Sequence, residues 1–451
     1  MDEGERLVLD SGLQISVAKR RSPLSHFQLI TPFGGDVLRY RDAESGEEVS
    51  LQPGSAHYFE HVLFIMPPLG RDGKPLRWRT NTPKRMSKLR DGLTELKHHG
   101  AIEVNAYTAN DHTNYFFVTR QHPLENLETM LDFVFTPYLP QDRFRKECGT
   151  IGDEIARGEN DSMSELFRLW DAQAHVKHGG RIPIIGTQES IRRITLDDVL
   201  SMHDTFYRPS NMMLIATGDV DAKAVADVVQ RKLEALGKAD YRPPPGEVSQ
   251  EEPRGVVAAD NFDSPLARAD VSRKKMLGGW KYLLEPLSMR PEELIDLHVA
   301  AEIAATALYG MGSLNREALV RAGTDERTFT GYNWDFRDRG CIQVQGDCDD
   351  AEGFRSLVAE NAAGLVAAGL PPGEVEYARN KILTDNEKNR ESLLSFGQML
   401  AYAGAQTRNP LDYFSILRRF KDISHGEVNA LLPRLLDTAN MTFALMVPER
   451  A

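Results

Sequence analysis

The sequence predicts an α+β protein made of two tandem domains of similar design. Three observations carry this. Short β-like runs alternate with longer helical runs in both parts of the 451-residue chain. A stiff, polar stretch, Pro243-Pro244-Pro245-Gly246 followed by Glu251-Glu252-Pro253, divides the chain into nearly equal parts. The two parts also close alike, with Ser210-Asn211-Met212-Met213-Leu214-Ile215-Ala216-Thr217 in the first and Ala439-Asn440-Met441-Thr442-Phe443-Ala444-Leu445-Met446 in the second. The expected domains are therefore 1–237 and 263–451, joined by a linker over 238–262.

Leu7 to Ala18 alternates like strand around a Ser11-Gly12 turn, and His26 to Thr31 reads as a second strand ended by Pro32 and Gly34-Gly35. After the break at Pro53-Gly54, Ser55 is placed to cap a helix whose apolar stripe is Phe59, Val62, Leu63 and Met66. Residues 67–90 carry four prolines and eight basic residues, and fit either a solvated loop or a lid or partner-contact insertion. His98 and His99 end a helical run closed by Gly100, and both read as surface histidines. Ile102–Ala109 and His112–Thr119 form a hairpin turned at Asn110-Asp111. Pro123 suits the first position of the next helix, and another helix runs from about Gln141 to Arg157. Helical signal then covers Ser162 to Lys177, where His175 and His178 lack a neighbouring acid and read as surface. The second part has a strand near Lys275–Leu284, a helix over Pro291–Tyr309 and a strand near Gly340–Gly346.

Composition bounds the function. There are 54 Lys+Arg against 66 Asp+Glu, a formal charge of −12, which argues against broad nucleic-acid binding and leaves basic peptides open as ligands. The charged start lacks the apolar core of a signal peptide, and no stretch approaches 18 consecutive apolar residues. Cys148, Cys341 and Cys348 cannot build a disulfide framework, which points to a reducing, cytoplasmic setting. Cys341 and Cys348 fall on opposite faces of a straight strand and are expected to be free.

The chemistry-bearing stretch is His57-Tyr58-Phe59-Glu60-His61. On a helix, positions i, i+3 and i+4 share a face, so two imidazoles and a carboxylate lie together. This is the H-x-x-E-H order of inverzincin peptidases. A catalytic zinc needs a third protein ligand and an open position for water. Glu147 and Glu154 are nearly two helical turns apart, beside an apolar stripe of Cys148, Ile151 and Ile155, and supply a carboxylate face. Without the motif, that face would read as solvated.

Taken together, the H-x-x-E-H helix, Asn105-Ala106-Tyr107-Thr108, the Glu147/Glu154 pair, and Tyr207-x-Pro209-x-Asn211 leading to Gly218-Asp219-Val220-Asp221 resemble the pitrilysin/insulinase family of zinc metallopeptidases. Within it the chain looks most similar to bacterial single-length members related to the peptidase-like protein associated with elongation factor P modification. The resemblance implies two pitrilysin-like domains, each with a mostly antiparallel sheet covered by helices, the first catalytic and the second not. It implies Zn2+ held by His57, His61 and Glu154, with Glu60 as general base, Glu147 supporting the site, and Asn105 and Ala106 pairing with an extended peptide substrate.

Two departures shape the expectation. The gap between His61 and Glu154 is longer than the family usually shows, with 67–90 as the insertion. In the second part, the Arg and Tyr with which many members hold the substrate backbone are not matched by Leu319-Val320-Arg321-Ala322-Gly323-Thr324-Asp325-Glu326: Glu326 stands where Tyr is expected, and Arg321 lies too close to the glycine. The expected protein is a zinc metalloendopeptidase of flexible peptides or a precursor, working as a dimer with a homologous sister chain or with itself, without nucleic acid or membrane. The alternative is a scaffold subunit that has lost turnover; a purely structural zinc site is disfavoured by the adjacent base.

Overall fold

A computed structural model describes residues 4–67, 90–246, 252–284 and 289–449. The basic stretch expected as an insertion falls almost entirely outside the described residues. The chain forms two compact units. One comprises Met1–Ile155, Pro183–Ser249 and Arg390–Tyr413; the other comprises Ala156–Ile182, Gln250–Asn389 and Phe414–Ala451.

In the first unit, strands β1 (Glu5–Val8), β2 (Gln14–Lys19) and β3 (Ser25–Thr31) are followed by a small hairpin of β4 (Arg39–Arg41) and β5 (Glu48–Ser50). Helix α1 (Ser55–Leu63) comes next, then the short pair β6 (Ile65–Met66) and β7 (Arg90–Asp91). Helix α2 (Gly92–His98) leads to the hairpin β8 (Ala101–Thr108) and β9 (Thr113–Thr119). Helices α3 (Pro123–Phe135) and α4 (Gln141–Glu159) follow, and α5 (Ser162–Ala174) belongs to the second unit. The first unit resumes with α6 (Gln188–Arg193), α7 (Leu196–Phe206), β10 (Met213–Gly218) and α8 (Ala222–Leu236). The second contains β11 (Leu266–Arg268), β12 (Lys274–Leu283), α9 (Pro291–Tyr309), α10 (Leu314–Arg321), β13 (Thr330–Asp335) and β14 (Arg339–Cys348). After α11 (Ala351–Ala368) and α12 (Pro372–Glu391), α13 (Leu393–Thr407) returns to the first unit; α14 (Asp412–Asp422), α15 (His425–Leu435) and β15 (Met441–Pro448) end the chain.

The duplicated design is visible in the strand order. The first sheet runs β1-β2-β10-β3-β9-β8 and the second β11-β15-β12-β14-β13. Five positions correspond, and in each sheet the closing strand pairs parallel on one side, β10 with β2 and β15 with β11, and antiparallel on the other, with β3 and β12. The similarity of the two closing sequences thus marks the same buried strand in two copies of one topology.

The units depart from the expected 1–237 and 263–451 division in two segments. Helix α5, from the first part of the chain, packs Leu166, Trp170 and Ala174 against Leu277, Cys341, Ala444 and Met446 of the second sheet. Helix α13, from the second part, lies against β3 and β10 of the first sheet. Each sheet therefore receives the helix on one face from the other part of the sequence. Periodicity identifies such helices but carries no information about which sheet they cover. Cys341 lies in this α5 cluster, while Cys348 joins the opposite core with α9 and α11; both are buried and free.

On α13, Gly397 is forced by close packing. A Cβ there would lie 2.1 Å from His26 Nδ1, and Gln28 Nε2 bonds the Gly397 carbonyl. Gly397→Ala is expected to cost about 1–3 kcal/mol through overpacking, read as a lowered midpoint of urea unfolding. A wild-type midpoint would contradict this packing.

Three local expectations are corrected. The N-cap of α1 is Gly54 at φ 89°, while Ser55 already lies within the helix and its hydroxyl donates to the Gln52 carbonyl at 2.6 Å. A Cβ at Gly54 would sit 2.7 Å from the Ile185 carbonyl oxygen, so only glycine fits the approach. His175 and His178 are buried, 0% and 1% exposed, and His178 Nε2 meets Asp338 at 3.1 Å. Its acidic partner is remote in sequence, so local spacing could not reveal it. Glu252, in the expected polar linker, is also buried. It pairs with the buried Lys281 and accepts the backbone N–H groups of Val176, Lys177 and His178, each at 2.7 Å. Paired charges of this kind offset one another's desolvation.

Candidate active site

The polar face of α1 is set by what its other face must bury. Tyr58, Phe59, Val62 and Leu63 are essentially inaccessible. Phe59 packs edge-on to Tyr207 with ring centroids 4.7 Å apart, and the Tyr58 hydroxyl donates to the Phe144 carbonyl of α4 at 2.5 Å. With that face pinned, His57, Glu60 and His61 turn to the other side. Helix α4 is anchored by Phe144, Ile151 and Ile155, which leaves Glu147 and Glu154 facing the same place.

The sequence-predicted residues come together. Ligand-type atoms of His57, His61 and Glu154 all lie within 4.8 Å of one another, the one such triad of His, Cys, Asp and Glu among the described residues. His57 Nε2 is 3.8 Å from Glu154 Oε1, and His61 Nε2 is 3.6 Å from Glu154 Oε2. Donors bound tetrahedrally at about 2.1 Å from a zinc ion stand about 3.4 Å apart, and these separations, made through the two Glu154 oxygens, are a few tenths of an ångström wider. Buried His57 Nδ1 has no hydrogen-bond partner within the described structure, and burial, with the neighbouring His61 charge, lowers the His57 pKa to about 4. A neutral imidazole is the metal-binding form.

Glu147 Oε2 stands 3.6 Å from His61 Nδ1, on the side of the ring away from Glu154. This pairing raises the His61 pKa, against the opposing effect of burial. A carboxylate on the far nitrogen fixes the tautomer and orientation of a metal-binding histidine. Glu60 is held differently: the Thr108 hydroxyl donates to Glu60 Oε2 at 2.8 Å. Burial raises the Glu60 pKa, and the Thr108 bond partly offsets it.

Thr108 ends β8, the terminal strand of the first sheet. The Ala109 N–H donates to His112, so by antiparallel alternation Thr108, Ala106 and Val104 turn their backbone groups to the outer edge. There the Ala106 N–H is capped by Asn105 Oδ1 at 3.0 Å. Asn105 and Ala106 thus lie on an edge strand as expected, three and two residues before the Thr108 that bonds Glu60. From sequence, Thr108 stands out only as part of the Asn105-Ala106-Tyr107-Thr108 motif, without a role, and Tyr58 only within the His57–His61 stretch. The motif and the place of Thr108 at the end of the strand holding Asn105 and Ala106 were the available signals for its role beside Glu60.

The second unit carries a different cluster at the corresponding place, where α9 follows β12. His298 Nδ1 is 3.1 Å from Asp335, and Tyr282 donates to Asn333 at 2.9 Å. Burial, reinforced by the Asp335 charge and opposed by an Asn333 hydrogen bond, pushes the Glu302 carboxyl up to about 7. The folded state therefore binds its proton more tightly than the unfolded chain, and stability falls as pH rises from about 4.5 to about 7. Glu302→Gln should stabilise the protein above pH 7 by roughly 2–3 kcal/mol, with the gain vanishing near pH 4. Urea unfolding across that range checks this; an equal effect at both ends would contradict it.

Comparison with known proteins finds relatives named as zinc proteases. Residues 193–382 match the family described as Peptidase M16 inactive domain. The chain is 28% identical over 379 residues to the uncharacterized zinc protease YmfH of Bacillus subtilis, covering 83% of this chain and 80% of that protein. The chain is thus similar to M16 peptidases over most of its length. It is also 25% identical over 242 residues to the zinc protease PqqE of Helicobacter pylori, covering 53% of this chain but only 48% of that relative. Its fold matches the crystal structure of an M16-like peptidase from Alicyclobacillus acidocaldarius, with a TM-score of 0.84 at 23% identity over 99% of this chain and 98% of the other. A protease from Helicobacter pylori has the same fold, at a TM-score of 0.78 and 19% identity over 98% and 99% of the two chains.

Proposed function

We propose that this chain is a zinc-dependent metalloendopeptidase of the M16 kind, acting on flexible peptides or a precursor. The observation that carries the reading is the convergence of His57, His61 and Glu154 within 4.8 Å, with Glu60 on the same helix face. His57, His61 and Glu154 would hold zinc, and Glu147 would orient His61. Bound zinc lowers the pKa of water from 15.7 to about 7 and polarises a carbonyl. Glu60 would accept the proton of the attacking water and return it to the departing amine. An extended peptide would add as a strand to the outer edge of β8 at Asn105 and Ala106, which selects flexible segments over folded ones. Its arrival would displace the Asn105 cap from the Ala106 N–H.

The substrate-holding Arg/Tyr pair is proposed to come from a second chain, a homologous sister subunit or another copy. Arg321 supports this by its position: it is 77% exposed and bonds Glu317 on its own helix at 2.6 Å. The free cysteines suit the cytoplasmic setting proposed for the complex. The second reading, a scaffold subunit without turnover, draws on the description of the matched family as an inactive domain. Mass spectrometry of a peptide pool incubated with the native complex separates the two. The peptidase reading expects internal cuts that a zinc chelator abolishes; no cuts by the native complex would favour the scaffold.

A further inference from the structure

The geometry points to Thr108 as the residue that positions the Glu60 carboxylate and marks where along β8 a bound peptide is cut. The inference rests on the peptidase reading and adds to it a positioning role not assigned above. Two observations support it. The Thr108 hydroxyl donates to Glu60 Oε2 at 2.8 Å, a bond between the outward end of the edge strand and the carboxylate on α1. Backbone groups at Ala106, one outward position away, are left for an incoming strand once Asn105 is displaced.

Consequently the Glu60 carboxylate is tied to the last residue of β8. A peptide strand pairing at Ala106 meets the carboxylate at its next outward position, about 7 Å along the strand. The register of strand addition is thereby coupled to the place of proton transfer. Glu60 sits on a helix whose other face is locked by Phe59 and Tyr58, so its backbone is fixed and its remaining freedom lies in side-chain rotation. The Thr108 hydroxyl removes that freedom. Thr108 touches no reacting atom; it acts through Glu60.

Thr108→Val preserves the shape of the side chain and removes its donor, and Thr108→Ser restores the donor. The expected result for Thr108→Val is unchanged bound zinc, KM within about twofold of wild type, and kcat lowered about 10- to 100-fold, as misplacement of a catalytic group does. The cut sites in a long extended peptide should also spread to neighbouring bonds. Thr108→Ser should recover both kcat and the cut pattern. An unchanged kcat and cut pattern in Thr108→Val would overturn the inference, as would a parallel loss of zinc and folding, or failure of serine to rescue.

Crystal structures of the three metal-free proteins provide a readout independent of turnover. Glu60 should hold one orientation in wild type and Thr108→Ser, and leave it in Thr108→Val. A carboxylate that stays in place without the hydroxyl would overturn the inference. If wild type cuts no peptide, the peptidase reading fails on its own, and the orientation of Glu60 still decides the role of Thr108.

Discussion

Glu60→Gln is expected to retain zinc at the wild-type stoichiometry while peptide hydrolysis falls by about 10²–10⁴-fold, the range for losing a general base. The substitution is nearly isosteric. Its amide can still accept the Thr108 hydroxyl, which lies 2.8 Å from Glu60 Oε2 in the wild-type protein. It has no basic oxygen to take a proton from water. Because Glu60 is not one of the three atoms that converge within 4.8 Å, the metal triad remains complete. Metal analysis and steady-state kinetics on one preparation check both halves. Activity near wild type would remove Glu60 from the mechanism, and loss of zinc would assign it a structural part instead.

Glu154→Gln and Glu147→Gln should separate in the opposite manner. Glu154 approaches both histidines, at 3.8 Å from His57 Nε2 and 3.6 Å from His61 Nε2. Replacing its anionic oxygens with a neutral amide leaves a two-histidine site, which does not meet the three-ligand requirement of a catalytic zinc. The Glu154→Gln protein should therefore purify without stoichiometric zinc and without activity. Glu147 approaches only the far nitrogen of His61, at 3.6 Å. Its loss should weaken zinc binding about 10–100-fold, as loss of an orienting partner does, rather than abolish it. Competition against a chromophoric chelator measures both. Equal zinc affinity in the two variants would contradict the assigned roles.

Much of this site was legible in sequence because it rests on local periodicity. His57, Glu60 and His61 share a face of one helix, and Glu147 and Glu154 share a face of another, so each set is fixed by helical geometry alone. Bringing the two helices together needed the family resemblance; in the fold that contact is made by the hydrogen bond from Tyr58 to the Phe144 carbonyl and the buried residues around it. What stayed hidden depends on partners remote in sequence. Thr108 meets Glu60 across 48 positions, and His178 meets Asp338 across 160. Glu252 lies in a proline-flanked polar stretch, yet its carboxylate is consumed by Lys281 and three backbone N–H groups.

The fold divides along the same line. Strand runs, the hairpin turn and the 291–309 helix follow from alternation, turn residues and a proline start. The placement of α5 and α13 does not, because an apolar stripe states that a helix is buried without stating against what. Chain order suggested two successive blocks, whereas the units draw α5 and α13 from opposite parts of the sequence.

The account is tested most directly by titrating zinc into chelator-treated protein, in its native complex, while following cleavage of an unstructured peptide. The predicted result is recovery of cleavage in proportion to added zinc, with a break at one ion per chain carrying His57, His61 and Glu154. No recovery at any zinc ratio, or full cleavage before zinc is added, would contradict it.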